Sequence, residues 1–348
     1  MNSSEFPHAP SLASALESWF DRHARDYPWR RTTDPYAILV SEMMLQQTQI
    51  ATVLDRGYYA RWMERFPDAR TLAAASEHEV LRTWEGLGYY RRARFLHQLA
   101  KTVIEQHDGV FPRDAETIRA LPGVGRYTAG AVASFAFDAP EPIVDGNVAR
   151  VLARLGNDTT PVDSTAGQLK LWEQAQHLVQ AAKSPRTLNG ALMELGQRIC
   201  RTGTPLCGEC PVKKYCAAEA PASLPVKAKR TTITEVTERV FFHRTDAGIL
   251  LQQETGQRRT GLWKLPALPE STGTPLPQVL HKSRYTITRY RVTLWVHEAP
   301  PAKVMKGIKE DAASRFVIGE DLAHLPMPSP YRRALRAVLA LEEEFTLQ

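Results

Sequence analysis

A glycine-containing turn between two helical patterns constrains the fold of this 348-residue chain more than any other feature. The turn has the sequence Leu121-Pro122-Gly123-Val124-Gly125. Asp114 is suited to cap a short helix before the turn, and the small-residue run from Arg126 to Phe137 predicts a second helix after it. Glycine permits the sharp turn and leaves amide N–H groups at a helix N-terminus free to face an anion. The stretch is therefore predicted to bind a phosphate.

Two kinds of phosphate-binding site use glycines in this way. A dinucleotide-binding loop follows a β-strand and carries a third glycine, and the sequence shows neither feature here. A hairpin that holds DNA phosphates between two helices agrees with the pattern better. Asp145 follows eighteen residues after Tyr127, between a proline-rich turn and Gly146. We therefore favour a DNA-binding hairpin with a carboxylate nearby.

All four cysteines lie in one short loop with the spacing C-x6-C-x2-C-x5-C, at Cys200, Cys207, Cys210 and Cys216. Disulfides are disfavoured, because the sequence shows no secretory signal. A tetrahedral zinc site stays open as an alternative, although zinc ligands commonly come as two close pairs and only Cys207 and Cys210 form one. Four unevenly spaced cysteines in a compact loop favour the corners of a [4Fe-4S] cluster.

Composition is typical of a soluble globular protein, and the mildly basic charge is consistent with a polyanionic partner without establishing one. The length suffices for two or three domains, 43% of the residues are hydrophobic, and the net charge is +6. The apolar run from Ala129 to Phe137 has nine residues, too few to span a bilayer. We expect a cytoplasmic monomer that does not insert into a membrane.

The chain changes character after Cys216. Before it, helical patterns dominate, such as the amphipathic stretch Ser11–Ala24 and a helix that Asp34 caps with Pro35 in its first turn. Residues 217–232, rich in Ala, Pro and Lys, are interpreted as a linker. Three β-like segments and a final amphipathic helix follow, at Thr237–Arg244, Gly248–Gln252, Arg284–Val296 and Pro330–Phe345. We therefore predict a mostly α-helical part and a separate α+β domain over residues 233–348.

Glu42 is the most informative single residue, because it lies in the middle of an apolar helical pattern, Tyr36–Leu45. Burial of a carboxylate is costly unless it is paired, and it raises the pKa toward neutrality. A salt bridge at a helix edge is the alternative interpretation of Glu42, and a turn or helix cap is that of Asp145. Together, one neutral and one ionised carboxyl suit the breaking of a glycosidic bond, since the acid protonates the leaving group and the anion stabilises an oxocarbenium-like sugar.

Five motifs, in order along the chain, resemble those of the adenine DNA glycosylases of the MutY family. They are Ser41–Gln49, Gly86–Tyr90, Leu121–Gly130, Val144–Val151 and the four-cysteine loop. The resemblance, from Trp29 to Cys216, implies the helix-hairpin-helix superfamily. The implied fold is a mostly α-helical glycosylase core, made of a six-helix domain over residues 31–137 and an iron–sulfur domain over residues 1–30 and 138–216, with a C-terminal Nudix-like α+β domain. It also implies a [4Fe-4S] cluster held by the four cysteines.

The resemblance implies a role for each matching side chain. Glu42 would protonate N7 of an extruded adenine, and Asp145 would stabilise the deoxyribosyl cation. Tyr127 and Asn147 would orient Asp145 and the attacking water. The residues implied to contact DNA are Gln46, Gln47, Thr48, Tyr89, Leu121, Gly123, Val124 and Gly125. Of these, Gln47 and Tyr89 would be inserted into the duplex.

Tyr127 separates two kinds of relative. Similar enzymes of the endonuclease III type have a lysine there and cleave the strand through a Schiff base, which a phenol cannot form. The resemblance therefore implies a monofunctional glycosylase that removes adenine opposite 8-oxoguanine or guanine in duplex DNA. The alternatives are a catalytically silent DNA-binding iron–sulfur protein and a glycosylase that acts on thymine opposite guanine.

The C-terminal domain resembles the Nudix-like domain with which this family recognises 8-oxoguanine, through Gly261–Pro266. No Nudix catalytic box is visible, so we expect no pyrophosphatase activity. Where the family's recognition loop has Phe-Ser-His, this chain has Ile287-Thr288-Arg289. Thr288 could contact the damaged base and Arg289 a phosphate or a base. Plain strand residues are the equal alternative, so the preference for 8-oxoguanine over guanine stays open.

Overall fold

The computed structural model describes residues 6–228, 232–255, 259–269, 275–287, 289–301, 305 and 313–346. The chain forms two compact units, residues 1–74 with 98–230 and residues 75–97 with 231–348. By its contacts, the segment 75–97 belongs to the same unit as the C-terminal part, whereas the sequence analysis placed it in the predicted domain 31–137. The domain boundaries at residues 30, 137 and 216 stay predictions.

The first unit is built from helices. They are α1 (Ala9–His23), α2 (Pro35–Leu45), α3 (Ile50–Asp55), α4 (Tyr58–Arg65), α5 (Ala69–Ala74), α8 (Ala115–Ala120), α9 (Arg126–Phe137), α10 (Gly146–Leu155), α11 (Thr165–Gln180) and α12 (Pro185–Arg198). Helix α6 (Glu77–Thr83) belongs to the second unit, in which α7 (Arg91–Gln106) begins. The predicted helical character before Cys216 is confirmed. Within the described residues, no helix combines the length and hydropathy needed to cross a bilayer.

Helix starts follow the predicted caps. The Asp34 carboxylate accepts hydrogen bonds from the backbone N–H groups of Tyr36 at 3.1 Å and Ala37 at 3.3 Å, which satisfies donors that the first turn of α2 leaves free. Asp114 caps α8 in the same way, accepting from the Thr117 N–H at 2.8 Å. Helix α9 has the predicted bounds, and α1 begins at Ala9, two residues before the predicted start.

Two packed regions fix the first unit. Helices α1, α10, α11 and α12 share a core, with buried side chains that include Leu12, Leu16, Val148, Val151, Leu152, Leu171, Leu178, Leu188 and Leu192. Helix α2 packs against α4 and α9, and every residue from Tyr36 to Met44 is buried. A helix that is apolar on all sides is stable only when it is enclosed. Glu42 therefore lies on an element with no solvent-facing side.

The second unit contains two sheets. Its strands are β1 (Thr234–Phe242), β2 (Arg244–Thr245), β3 (Gly248–Gln253), β4 (Trp263–Lys264), β5 (Val279–Ile287), β6 (Tyr290–Glu298) and β7 (Ser314–Val317), followed by helices α13 (Gly319–His324) and α14 (Ser329–Thr346). One sheet has the order β1-β6-β5, with β6 parallel to β1 and antiparallel to β5. The other has the order β2-β3-β4, with β7 beside β3. Helix α14 packs against β5, which confirms the predicted α+β character.

The prediction of one strand over Arg284–Val296 is wrong. Strands β5 and β6 are antiparallel neighbours in this region, and Ile287 pairs with Tyr290. The alternation of side chains continues through the turn, and Thr288-Arg289 contains none of the glycine, asparagine or aspartate that usually marks a tight hairpin. The sequence therefore gave no signal for the reversal.

Side chains of the segment 75–97 contact the C-terminal part of the second unit. The Tyr90 hydroxyl donates a hydrogen bond to the Met327 carbonyl at 3.1 Å. Arg332 forms an ion pair with Glu85, and its Nη2 donates to the Glu85 Oε2 at 2.9 Å. These contacts attach the helices on either side of Gly86–Tyr90 to α14 and the chain before it.

Gly130 lies where α9 passes closest to the chain that follows it. A Cβ at this position would be 2.5 Å from the Pro142 carbonyl oxygen, closer than packed atoms approach. We expect Gly130→Ala to lower the free energy of unfolding by about 1–3 kcal/mol, because α9 must move to admit the methyl group. Gly125→Ala is the control, since its Cβ would meet nothing within 4 Å. Denaturant unfolding followed by circular dichroism measures both, and equal stability of the two variants would contradict this account.

Candidate active site

Glu42 has the environment of an acid that is still protonated near neutral pH. Its side chain is buried on α2, and this burial raises the pKa of the carboxyl group to about 7. The Tyr127 hydroxyl donates a hydrogen bond to Glu42, which lowers the pKa, and the charge of Asp145 raises it again. The salt-bridged alternative for Glu42 does not hold, because its described partner is a phenol.

Asp145 is both the N-cap of α10 and a neighbour of Glu42. Its Oδ1 accepts hydrogen bonds from the N–H groups of Asn147 at 2.9 Å and Val148 at 2.7 Å, and its Oδ2 accepts from the Asn147 side chain at 2.8 Å. Three donors at a helix N-terminus stabilise a carboxylate anion. The helix-cap interpretation is confirmed, and it coexists with a place in the site.

Tyr127 interacts electrostatically with both carboxyl groups, those of Glu42 and Asp145. Burial raises the pKa of its phenol well above the ordinary value, and the nearby charges of Glu42 and Asp145 raise it further. The residue therefore stays a neutral hydroxyl that donates to Glu42. It lies in the first turn of α9, directly after the glycine turn, which is why that turn fixes its position.

The side chain of Asn147 is fixed by Arg150, a residue to which the sequence analysis gave no role. Arg150 Nη2 donates to the Asn147 Oδ1 at 2.9 Å and to the Gly196 carbonyl at 2.8 Å, and its Nε donates to the Cys200 carbonyl at 2.8 Å. Position 196 must be glycine, because a Cβ there would lie 2.7 Å from the Cβ of Asn147. The cysteine loop and the Asp145 cap are thus joined through one guanidinium group.

The four predicted catalytic residues line one cavity of about 1770 Å³ in the first unit. Gln46, Gln47, Thr48 and Gly125 line it as well, whereas Leu121, Gly123 and Val124 do not. Small-molecule pockets have volumes of about 300–1,000 Å³. The larger volume indicates an open cleft that accepts part of a macromolecule.

Arginine dominates the charged lining of this cavity. Seven arginines line it, against the four carboxylates of Asp26, Glu42, Asp55 and Asp145. The arginines are Arg25, Arg30, Arg31, Arg126, Arg150, Arg186 and Arg201. A cleft lined by one sign of charge concentrates ligands of the opposite sign. The cavity is therefore suited to an anionic polymer.

One of these arginines is positioned by a buried carboxylate that sequence reasoning missed. Glu194 on α12 is fully buried, and its Oε2 accepts from Arg30 Nη1 at 2.5 Å. Its Oε1 accepts from Arg198 and from the backbone N–H of Arg25, each at 3.1 Å. Arg30 also lies over the rings of Phe20 and Tyr27. No sequence motif could reveal the pairing of Glu194 with Arg30, because the two residues are 164 positions apart.

Two residues implied to enter DNA have backbones in the left-handed region, where non-glycine residues are uncommon. Gln47 has φ 57° and lines the cavity, and Tyr89, in the second unit, has φ 46° and a side chain that is 39% exposed. Such strain persists only where the surrounding structure imposes it, and it concentrates at functional sites. Gly123, with φ 75°, gives the hairpin the turn that glycine allows.

The four cysteines gather at one place in the first unit. Burial, together with the charges of the three other thiols, raises the pKa of Cys210 to about 11, so Cys210 lies within electrostatic reach of all three. Among the described residues, no three His, Cys, Asp or Glu side chains are placed to hold a single metal ion. Zinc would need sulfurs about 3.8 Å apart around one centre. The four predicted cluster ligands therefore lie near one another, and the described residues form no site for a single ion.

A buried arginine holds the cysteine loop. Arg154 donates from Nη1 to the carbonyls of Cys200 at 3.2 Å and Arg201 at 2.8 Å, and from Nη2 to the Gly203 carbonyl at 3.1 Å. Its Nη1 also lies 3.4 Å from the Cys200 sulfur. This guanidinium places a positive charge beside the sulfur of one of the four predicted cluster ligands.

The residues predicted to recognise the lesion lie in the second unit. Ile287 is the last residue of β5, and Thr288 falls outside the described residues. Arg289 lies in the turn before β6, where its Nη2 donates to the Tyr290 hydroxyl at 3.1 Å. Ile287 is thus a strand residue, as the alternative interpretation of this segment predicts, and Arg289 lies directly before β6.

Comparison with protein families places the helical part among DNA repair proteins. The family model described as "HhH-GPD superfamily base excision DNA repair protein" matches residues 40–174. An adenine DNA glycosylase of Mus musculus is 48% identical over 227 residues, covering 62% of this chain and 43% of the relative. An adenine DNA glycosylase of Mycolicibacterium smegmatis is 43% identical over 198 residues, covering 57% and 66% respectively. The chain thus spans less than two thirds of these relatives' lengths.

Solved structures give the same placement. A thermostable thymine-DNA glycosylase superimposes with a TM-score of 0.54 at 31% identity, covering 60% of this chain and 95% of that one. A trapped covalent endonuclease III–DNA intermediate gives a TM-score of 0.50 at 25% identity over the same shares. The helical glycosylase fold predicted from the motifs is confirmed by these likenesses.

Glu194→Gln tests whether the buried carboxylate holds Arg30. The substitution keeps the shape and removes the charge, which leaves Arg30 and Arg198 without their anionic partner. We expect the free energy of unfolding to fall by about 2–3 kcal/mol, since the arginines keep some contact with water. Asp26→Asn is the matched control, because it removes the exposed partner of Arg31 and should leave the unfolding midpoint unchanged. Equal effects of the two variants would contradict a special role for Glu194.

Proposed function

Since the chain belongs to the HhH-GPD superfamily of base excision DNA repair proteins, we propose that it is a monofunctional DNA glycosylase that excises adenine opposite 8-oxoguanine or guanine in duplex DNA. One observation carries the proposal: Glu42, a buried glutamic acid with a pKa of about 7, lines the same cleft as Asp145, the aspartate that caps α10. Curated relatives that match the helical part are named adenine DNA glycosylases.

The two carboxyl groups divide the chemistry. Glu42 carries a proton at neutral pH for a substantial part of the time, so it can protonate N7 of an extruded adenine and make the base a better leaving group. Asp145 faces the sugar as an anion and stabilises the positive charge that develops as the glycosidic bond breaks. Proton donation and charge stabilisation thus come from different environments.

Tyr127 and Asn147 position these groups, and neither reacts. Asn147 donates to the Asp145 Oδ2 and is itself fixed by Arg150, so the carboxylate keeps one orientation. Tyr127 donates to Glu42 and has no amine with which to form a Schiff base with the sugar. The product is therefore an abasic site on an intact strand.

Features of both units support binding of duplex DNA. The arginine-lined cleft neutralises phosphates, and the turn Leu121–Gly125 presents backbone N–H groups at the start of α9. Gln46 and Thr48 flank Gln47 at the cleft. Extrusion of a base costs a few kcal/mol, which insertion of Gln47 and Tyr89 into the stack would partly offset.

Preference for the partner base belongs to the hairpin tip between β5 and β6. Arg289, a cation at that tip, supports a contact with the phosphate or base of the strand opposite adenine. A structural likeness to a thymine-DNA glycosylase favours thymine opposite guanine as the second candidate substrate. We further propose that the enzyme acts as a cytoplasmic monomer.

We also propose a [4Fe-4S] cluster held by Cys200, Cys207, Cys210 and Cys216. Four mutually close thiols that do not converge on one ion support it, as does the Arg154 guanidinium beside Cys200. When bound, the cluster cross-links the loop and so stabilises it. Arg150 and Arg154, both on α10, donate hydrogen bonds to the carbonyl of Cys200. An ordered cysteine loop therefore helps to hold α10 and its N-cap in place.

Glu42→Gln separates chemistry from binding. It keeps the size of the side chain and removes the acid, so we expect single-turnover excision of adenine opposite 8-oxoguanine to fall by at least about 100-fold while duplex affinity stays near wild type. For the wild type, the rate should fall as the pH rises through about 7, because Glu42 then loses its proton. The measurement is product formation on a panel with A opposite 8-oxoguanine, A opposite G, and T opposite G. Wild-type turnover by the variant would refute the assignment, and excision confined to T opposite G would favour the second substrate.

Metal content tests the cluster. Protein purified without oxygen should be brown, with an absorbance shoulder near 410 nm (about four irons per chain), as expected for an iron–sulfur cluster held by thiolates. Cys210→Ser should lose the colour and much of the iron, since it removes one ligand. Metal analysis by mass spectrometry measures both. A colourless wild-type protein that contains one zinc would overturn the proposal.

A further inference from the structure

The sheet β1-β6-β5 has two unlike faces. Val240, Leu294 and Val296 point into the core of the second unit, on the side where α14 packs. On the opposite side, Phe241 and His297 are buried at one end of the sheet. The other alternate residues on that side are exposed or half-buried, and we call them the open face. They are Glu235, Thr237 and Arg239 of β1, Arg291, Thr293 and Trp295 of β6, and Lys282, Arg284 and Thr286 of β5.

Strand register arranges these nine residues as a grid of three rows. The rows are Arg239–Trp295–Lys282, Thr237–Thr293–Arg284 and Glu235–Arg291–Thr286. Neighbouring strands lie about 4.8 Å apart, and alternate residues on a strand lie about 6.8 Å apart. The open face is therefore a compact patch with a cation in every row.

The patch carries four cations and one carboxylate. Glu235 pairs with Arg291 at 2.7 Å in an exposed position, where an ion pair contributes little. The Lys282 ammonium lies 4.1 Å from the centre of the Trp295 ring. Among the described residues, no carboxylate is recorded beside Arg239 or Arg284. With four cations and one carboxylate, the nine residues of the patch thus carry a net positive charge.

Two ordinary explanations account for part of this pattern. A sheet with one face on a core commonly exposes polar residues on the other, and edge strands often carry cations that prevent aggregation. Edge protection accounts for Arg239 on β1 and for Lys282 and Arg284 on β5, but not for Arg291 on the central strand. Neither explanation calls for cations in fourfold excess over carboxylates together with three threonine hydroxyls.

Cations and hydroxyl groups on one surface are the set that contacts DNA phosphates. Most hydrogen bonds from proteins to DNA reach the phosphates and sugars, and arginine, lysine and threonine are among the usual donors. Release of counterions from the duplex supplies the affinity, independently of base sequence. The open face has these donors. It belongs to the second unit, whereas the cleft that contains Glu42 belongs to the first.

We propose that the open face is a second DNA-contact surface, which binds the sugar–phosphate backbone of duplex DNA without reading its sequence. The proposal rests on the proposed glycosylase function and extends it. The cleft supplies the chemistry, and the open face adds affinity for any stretch of duplex.

Removal of two cations from the open face tests the proposal. Lys282→Ala with Arg284→Ala changes exposed side chains of an edge strand, so folding should be retained. We expect weaker binding to an undamaged 30-base-pair duplex, and a plot of log affinity against log salt shallower by about 1.8. The ratio of wild-type to variant affinity should then fall about twelvefold between 50 and 200 mM salt. The single-turnover excision rate at saturating protein should not change.

The matched control removes the same charge from another surface of the same domain. Arg333→Ala with Arg336→Ala changes two exposed arginines on α14, which packs on the other side of the sheet. This control should keep the wild-type salt dependence, and Lys282→Arg with Arg284→Lys should restore it. Equal losses from both alanine pairs would overturn the proposal, because net charge alone would then explain them. A loss seen only with single-stranded DNA would also overturn it.

Failure of this proposal is distinct from failure of the proposed function. Wild-type excision of adenine together with an unchanged salt dependence in the Lys282 and Arg284 variant would refute the open face alone. Wild-type protein that binds duplex with the expected salt dependence but excises no base would refute the glycosylase and keep the second contact surface.

Discussion

Exclusion of water from one carboxyl group is the constraint on which the rest of the active site depends. Glu42 lies on a helix that is buried along nearly its whole length, and this burial disfavours its ionised form. The protein stabilises the neutral form, and the phenol of Tyr127 gives it a hydrogen-bond partner. Asp145 has the opposite environment, with three N–H donors around its oxygens. A buried carboxyl group and a carboxyl group surrounded by N–H donors thereby line the same cavity.

The elements that the sequence predicts well are those decided by neighbouring residues. The caps at Asp34 and Asp114 and the bounds of α9 follow from side chains within a few positions, so they agree with the structure. The pairing of Glu194 with Arg30, the position of Arg150 behind Asn147 and the reversal between β5 and β6 depend on residues distant in the chain or on a turn without its usual residues. Periodicity carries no information about such contacts, which appear only when the helices and strands have been assembled.

Each unit has its own means of holding functional side chains. In the first, single guanidinium groups tie the cysteine loop to the helix that begins at Asp145, so one fixed framework supports both. In the second, the helices on either side of Tyr89 are attached to the C-terminal part by the Glu85–Arg332 pair and the Tyr90 hydroxyl. The exposed tyrosine with its left-handed backbone therefore projects from an anchored segment.

The double duty of Asp145 has a consequence for how the site is assembled. The side chain that starts α10 is also the one that would face the sugar in the proposed reaction, so formation of the first turn of α10 and placement of this carboxylate are one event. The backbone N–H groups that begin the helix hold the carboxylate in one orientation before any ligand arrives. Fraying of that one turn would displace the proposed catalytic carboxylate while the rest of α10 is still folded.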